Sequence, residues 1–255
     1  MSEISRRGIL SALLAAMPGA ALAQNNLLNE GRSLLQEQAP KGGTSSSGAG
    51  AGAGLSQSTI ASGLKQALQV AAQKVTAQLG TAGGYNNDPA IRIPLPSPVQ
   101  KIEGPLKAVG ASGMLDDLQN KMNGAAEQAA PKALNIFTSA ASKMSITDAK
   151  SILAGPSDAA TQYFKTNTSS QLTTAFTPIV KQTLSGVGAV KAFQGVQSEA
   201  AKIPMAAQEV QGFDLTNFTV GKALDGLFHY MAVQEADIRA NPAARTTDLL
   251  KKVFG

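Results

Sequence analysis

Apolar side chains recur every three to four positions after residue 55, which is the period of an α-helix. In residues 55–79 this repeat includes Leu64, Leu68 and Val75, and Gly80 follows as a natural helix end. No segment alternates β-branched with polar residues as a strand would, and no hairpin signal occurs. The pattern predicts an all-α fold, an irregular multi-helix bundle that forms a single domain over residues 55–255.

Residues that favour helix ends divide this region further. Helix starts are predicted at Ser97-Pro98, at Thr147 with Asp148, at Ser157 with Asp158, and at Asp214, while Pro178 marks a kink or junction. Residues 90–96 must be extended because each proline keeps its predecessor out of the α region. The predicted helices cover residues 55–79, 97–109, 114–130, 131–144, 147–155, 157–164, 170–184, 190–202, 214–240 and 247–254.

Residues 1–23 have the pattern of a cleavable signal peptide. Arg6 and Arg7 precede an apolar run over residues 9–17, and Ala21-Leu22-Ala23 offers small residues for cleavage near Ala23-Gln24. The run is too short to anchor the chain in a bilayer. The paired arginines favour the twin-arginine route, although Ser11 stands where that motif usually has lysine, so general secretion remains open. The leader predicts export to the periplasm.

The composition of residues 24–54 predicts a linker that tethers the domain to the leader. A short helix is expected over residues 25–38, and a segment of Gly, Ala and Ser continues to residue 54. Such a segment has no side chain large enough to bury, so we expect a flexible linker.

Composition and charge exclude several functional classes. The 22 Lys and Arg residues against 17 Asp and Glu give a net charge of +5, but no basic run exceeds Lys251-Lys252. A nucleic-acid protein would cluster its basic residues on one face, so nucleic-acid binding is not expected. The absence of cysteine excludes disulfides, thiolate catalysis and a lipid anchor on Cys. We expect no transmembrane segment, no cofactor and no metal.

Asn123 and Glu127 are the first candidate pair, because residues four apart share one face of a helix. The carboxylate could act as a general base or metal ligand while the amide positions a water molecule. Alternatively, both side chains make hydrogen bonds that hold helices together.

Asp225 and His229, the latter the only histidine, form a second pair with the same spacing. They could provide an acid–base dyad or two metal ligands, but neither a second His nor a nucleophile motif accompanies them. A surface interaction is the simpler interpretation.

Arg245 could bind an anion through two hydrogen bonds or dock against a helix end. Glu235 and Arg239 are interpreted as an exposed pair that contributes only tenths of a kcal/mol.

Eight sequence blocks carry a family resemblance in a characteristic order. They are GLKQAL at 63–68, IRIPLP at 91–96, MNGAAE at 122–127, DAKSIL at 148–153, DAATQYF at 158–164, PIV at 178–180, ALDGLF at 223–228 and NPAARTTDLLKKVF at 241–254. Together they resemble the bacterial domain-of-unknown-function family numbered 4197. The resemblance implies an exported helical domain and brings no activity with it.

Three functional hypotheses remain from the sequence. The first is a non-catalytic periplasmic module that binds an envelope protein or a small ligand between its helices. The alternative is a hydrolase-like enzyme that gathers Asn123, Glu127, Asp225, His229 and Arg245 into one interhelical cleft. A purely structural envelope protein is the third.

Overall fold

The described part of the chain contains ten α-helices and one 3-10 turn, joined by turns and short connections. In this computed structural model the described residues are 56–203 and 206–240, and no strand occurs among them. The all-α prediction is therefore confirmed. The predicted leader and linker, the helix over 247–254 and Arg245 lie outside these residues. The bounds are α1 Gln57–Leu79, α2 Ser97–Lys101, α3 Glu103–Ala108, α4 Ser112–Ala129, the 3-10 turn Ala130–Lys132, α5 Ala133–Lys143, α6 Ile146–Ala154, α7 Ala159–Gly186, α8 Ala189–Ala200, α9 Ala206–Val210 and α10 Leu215–Ala240.

The four longest helices, α1, α4, α7 and α10, contribute most of the core. Helix α10 packs against α7, α1 and α4, and α1 also packs against α5. The Phe137 ring lies 5.0 Å from that of Phe164 and 6.0 Å from that of Phe228. Elsewhere the helices meet through fully buried alanines such as Ala72 and Ala125. Small side chains let helix backbones approach closely, which suits a chain with only 4% aromatic residues.

Helix α7 is one continuous helix of 28 residues, so the prediction of two helices, over 157–164 and 170–184, is wrong. Pro178 lies inside it. The helix continues because one face is buried every four residues through Phe164, Thr168, Leu172 and Phe176, and this packing outweighs the hydrogen bond that proline cannot donate.

The predicted helix caps are partly confirmed. Asp214 accepts a hydrogen bond from Asn217 N at 2.9 Å, as expected of an N-cap. Ser97 is not a cap, because Pro96 holds the N-cap position, and the predicted 97–109 helix breaks at Ile102. The cap of α6 is Ser145 rather than Thr147.

Helix α7 is capped from a distant part of the chain. Asp158 makes no capping bond; instead Glu235 of α10, only 5% exposed, accepts hydrogen bonds from Ala160 N at 2.9 Å and Thr161 N at 2.8 Å. Arg239 donates to Glu235 Oε1 at 2.9 Å and to Ile152 O at 2.8 Å. The interpretation of Glu235 and Arg239 as an exposed pair is therefore wrong: the carboxylate ties α10 to α7.

Within residues 56–203 and 206–240, no helix combines the length and the apolar character needed to cross a lipid bilayer.

Candidate functional site

Residues 85–96, which we call the strap, connect the turn after α1 to α2 and contact both α4 and α10. Residues 92–96 form neither helix nor turn, as their two prolines predict. Side chains alternate along the extended part, so that Ile91, Ile93 and Leu95 are buried while Arg92 and Pro94 are exposed. The side chain of Arg92 is therefore exposed to solvent, while the strap residues on either side of it are buried.

Glu127 holds the start of the strap. Its Oε1 accepts hydrogen bonds from Tyr85 N and Asn86 N, each at 3.1 Å. The Tyr85 ring is fully buried beside it, and burial raises the pKa of Tyr85 far above its usual value, with the negative charge of Glu127 adding to the rise. Glu127 is thus a hydrogen-bond acceptor for backbone N–H groups. These bonds match the hypothesis that Glu127 holds structural elements together rather than the hypothesis that it acts as a general base.

Asn123 holds the centre of the strap and is fully buried. Its Oδ1 accepts from Ile93 N at 2.8 Å, and its Nδ2 donates to Ile93 O at 3.0 Å and to Gln119 O at 2.8 Å. The side-chain amide therefore pairs with the backbone of Ile93 as a neighbouring strand would. Because both ends of the amide are engaged with backbone, Asn123 positions the strap.

The opposite edge of the strap is tied to α10. Tyr85 Oη donates to Ala223 O at 2.8 Å, and Tyr230 Oη donates to Asp88 Oδ2. Helix and strap approach most closely at Gly226, where an added Cβ would lie 2.7 Å from the Tyr85 ring and 3.1 Å from Ile91 Cβ. Only glycine fits this crossing without a shift of its neighbours.

A groove of about 290 Å³ runs between the exposed edge of the strap and α10. Its lining includes Arg92 from the strap and Lys222, Asp225 and His229 from one face of α10. Lys222 Nζ lies 3.1 Å from Asp225 Oδ2, whereas Arg92 has no ion-pair partner in the part of the chain that the structure describes. With His229 neutral, the groove carries one net positive charge.

This arrangement offers a ligand three donors, which are Arg92, Lys222 and His229, and two acceptors, which are Asp225 and His229. The guanidinium of Arg92 is a planar fork of N–H donors, Lys222 is a flexible point charge, and His229 can donate or accept. No set of three or more His, Asp or Glu side chains with the spacing of a metal site occurs within residues 56–203 and 206–240. The groove can therefore recognise a small molecule by charge and hydrogen bonds.

The candidate residues from the sequence separate into two groups. Asp225 and His229 line the groove together, whereas Asn123 and Glu127 hold the other edge of the strap and do not line it. The four therefore do not share the single cleft that the enzyme hypothesis requires, and Arg245 lies outside the described residues.

Sequence reasoning missed Arg92 and Lys222 as groove residues. Two signals could have found them: the alternation of buried and exposed positions over residues 91–95, and the three-residue spacing that places Lys222 on the face of Asp225.

Comparison with known proteins places the chain in a family. No curated protein and no solved structure shows significant similarity to it. A family model described as "Protein of unknown function (DUF4197)" matches residues 54–255, which is most of the chain and includes the strap and the groove. The chain belongs to the DUF4197 family.

Proposed function

We propose that this protein is an exported, non-catalytic binding module of the bacterial cell envelope, which holds a small anionic ligand in the groove between the strap and α10. The leader pattern of Arg6 and Arg7, an apolar run and Ala21-Leu22-Ala23 supports export to the periplasm, with cleavage near Ala23-Gln24. The Gly/Ala/Ser-rich segment before residue 55 supports a tether that lets the domain reach partners. An envelope protein remains a further candidate partner.

The observation that carries the ligand assignment is the guanidinium of Arg92, which has no ion-pair partner within residues 56–203 and 206–240. It projects from the exposed edge of the strap into a groove whose other cation, Lys222, is already paired with Asp225. An arginine fork pairs best with carboxylate or phosphate, which it can bind through two parallel hydrogen bonds. Asp225 and His229 remain available for a donor group on the same ligand.

The strap has the rigidity that a binding site needs. Side chains of α4 hold the backbone of Tyr85 and Ile93, and Tyr230 of α10 holds the side chain of Asp88, so the strap on both sides of Arg92 is held before any ligand arrives. A site that is already ordered avoids the entropic cost of ordering on binding. The hydrogen bonds that attach the strap to α4 and α10 thus contribute to binding because they hold Arg92 in place.

A non-catalytic function is favoured over a hydrolase because the first candidate pair, Asn123 and Glu127, is engaged in hydrogen bonds to the strap. Glu127 Oε1 and both ends of the Asn123 amide are bonded to strap backbone. Among the described residues that line the groove, none is a serine, threonine or cysteine that Asp225 and His229 could activate. The hydrolase alternative requires chemistry from Asp225 and His229 alone with an attacking water molecule.

The binding test uses the mature protein, residues 24–255, with citrate and inorganic phosphate as probes in isothermal titration calorimetry. Loss of the charge-assisted pair in Arg92→Ala is expected to weaken binding by about tenfold or more. Arg92→Lys should recover only part of the affinity because a point charge cannot bind bidentately. Lys181→Ala, which removes an exposed cation from α7, is the matched control and should bind like the wild type.

Two results would contradict the assignment: equal binding by Arg92→Ala and the wild type, or no binding of either anion at millimolar concentration.

Export is tested separately by fractionation and N-terminal sequencing. We expect the periplasmic form to begin near Gln24, and loss of processing in the double variant Arg6→Lys, Arg7→Lys would identify the twin-arginine route.

A further inference from the structure

A second polar site lies where α5, α6 and α7 meet, and the strap takes no part in it. Two hollows of about 310 Å³ and 200 Å³ adjoin there, and Tyr163 and Asn167 line both. Together they form a surface, which we call the furrow, of the size typical of small-molecule sites, about 300–1,000 Å³. The larger hollow reaches Asp148 on α6, and the smaller one reaches Lys143 on α5.

The centre of the furrow is an aromatic ring with open space beside it. Tyr163 is half-buried and packs against the core, and its ring centroid lies 6.1 Å from that of Phe164 in an edge-on arrangement. It nevertheless lines both hollows, so part of the side chain stays available to a ligand. A fixed ring with a polar tip suits a ligand that has one apolar face and polar edges.

The polar groups around Tyr163 are mainly neutral amides and hydroxyls. Gln162 and Thr166 line the larger hollow and Gln171 lines the smaller one. Asn167 donates its Nδ2 to Tyr163 O at 2.8 Å, which leaves its Oδ1 to accept from a ligand. Amides and hydroxyls both donate and accept, so they can pair with ligand hydroxyl groups, which also do both.

The furrow is also long. Its α7 residues extend from Ala159 to Gln171, a span of twelve helical steps or about 18 Å at 1.5 Å per residue. The charges of Asp148 and Lys143 oppose each other at its two sides, so the furrow as a whole has no net charge. Its shape and polarity thus differ from those of the compact, positively charged groove at Arg92.

We propose that the furrow binds an uncharged oligosaccharide, with one sugar ring against Tyr163 and neighbouring sugar hydroxyl or amide groups bonded to Asn167, Gln162 and Gln171. A sugar has an apolar face of C–H groups and a rim of hydroxyls, which matches a partly exposed aromatic ring surrounded by neutral polar side chains. This site is independent of the anion groove and of the route of export.

The test measures binding of chitotetraose and cellotetraose to the mature protein by isothermal titration calorimetry. Both are neutral, and only chitotetraose carries acetamido groups, so the pair shows whether the furrow amides recognise them. We expect Tyr163→Ala to weaken binding by about tenfold, Asn167→Ala by about three- to tenfold, and Tyr163→Phe by less than Tyr163→Ala because the ring remains.

Two variants serve as controls. Thr173→Ala changes an exposed position on the same helix that lines neither hollow, and Arg92→Ala changes the other groove; both should bind saccharide like the wild type. Circular dichroism melting of each variant separates lost binding from lost folding. The proposal is overturned if neither saccharide binds at millimolar concentration, or if folded Tyr163→Ala and Asn167→Ala proteins bind as tightly as the wild type.

Discussion

Replacement of Asn123 by alanine tests whether the buried amide is the main support of the strap. The change removes the acceptor for the N–H of Ile93, a fully buried residue. It also removes one of two donors to Ile93 O, where Gln119 Nε2 remains at 3.1 Å. The N–H group, rather than the carbonyl, is therefore left without a partner.

The expected loss follows from that single orphaned donor. An unsatisfied buried polar group costs about 1–3 kcal/mol, and loss of the remaining amide contacts brings the expected total to about 3 kcal/mol. For a domain of this size each kcal/mol lowers the melting temperature by about 2–4 °C, so a decrease of about 6–12 °C is expected. Asn123→Asp should be nearly as harmful, because a carboxylate oxygen would then face Ile93 O and Gln119 O.

Urea denaturation followed by circular dichroism measures the change in free energy of unfolding. Asn167→Ala is the matched control, because that amide is exposed and bonds only the carbonyl of Tyr163 in its own helix, so an effect within about 0.5 kcal/mol is expected. A loss below about 1 kcal/mol in Asn123→Ala would refute the assignment of Asn123 as a structural clamp. In that case its burial would need another explanation.

Two further predictions concern the helix ends. Glu235→Ala leaves the N–H groups of Ala160 and Thr161 without their acceptor, so the free energy of unfolding should fall by about 2–4 kcal/mol in urea denaturation. Glu209→Ala, which removes an exposed ion pair, should cost less than about 1 kcal/mol, and equal losses would contradict the capping role. The hydrogen bond from Ser145 N–H lowers the pKa of Asp148, so its stabilising effect is present above the ordinary aspartate value near pH 4 and is lost as pH falls through the lower folded-state value. The difference in melting temperature between wild type and Asp148→Ala should therefore shrink in acid, and a difference that stays constant from about pH 7 to pH 2 would argue against this account.

Local sequence pattern was sufficient for the fold class and for many element boundaries. The three-to-four-residue repeat requires helices because it places apolar side chains on one face, and burial of that face then stabilises the helix. Gly80 and Asp214 act through backbone groups within one turn of their own position, so their roles at helix ends were predictable. The ordered blocks also predicted the family, which the match over residues 54–255 confirms.

The division of α7 into two helices failed for a physical reason. Proline is unfavourable in an isolated helix, and local reasoning counts only that cost. Packing of a face that remains buried on both sides of Pro178 is a tertiary term, and it outweighs the local one. The same limit applies to the cap of α7, because Glu235 lies 75 residues from Ala160 in the chain.

The roles of the candidate polar residues were decided by tertiary structure. Spacing showed that Asn123 shares a helix face with Glu127, and Asp225 with His229, but not that the strap would separate the two pairs. Arg92 joins Asp225 and His229 only because a segment more than 120 residues earlier crosses α10 at Gly226. A hydrogen bond or close approach between distant segments leaves no periodic trace in a sequence, since it depends on how the assembled helices place backbone and side chain together.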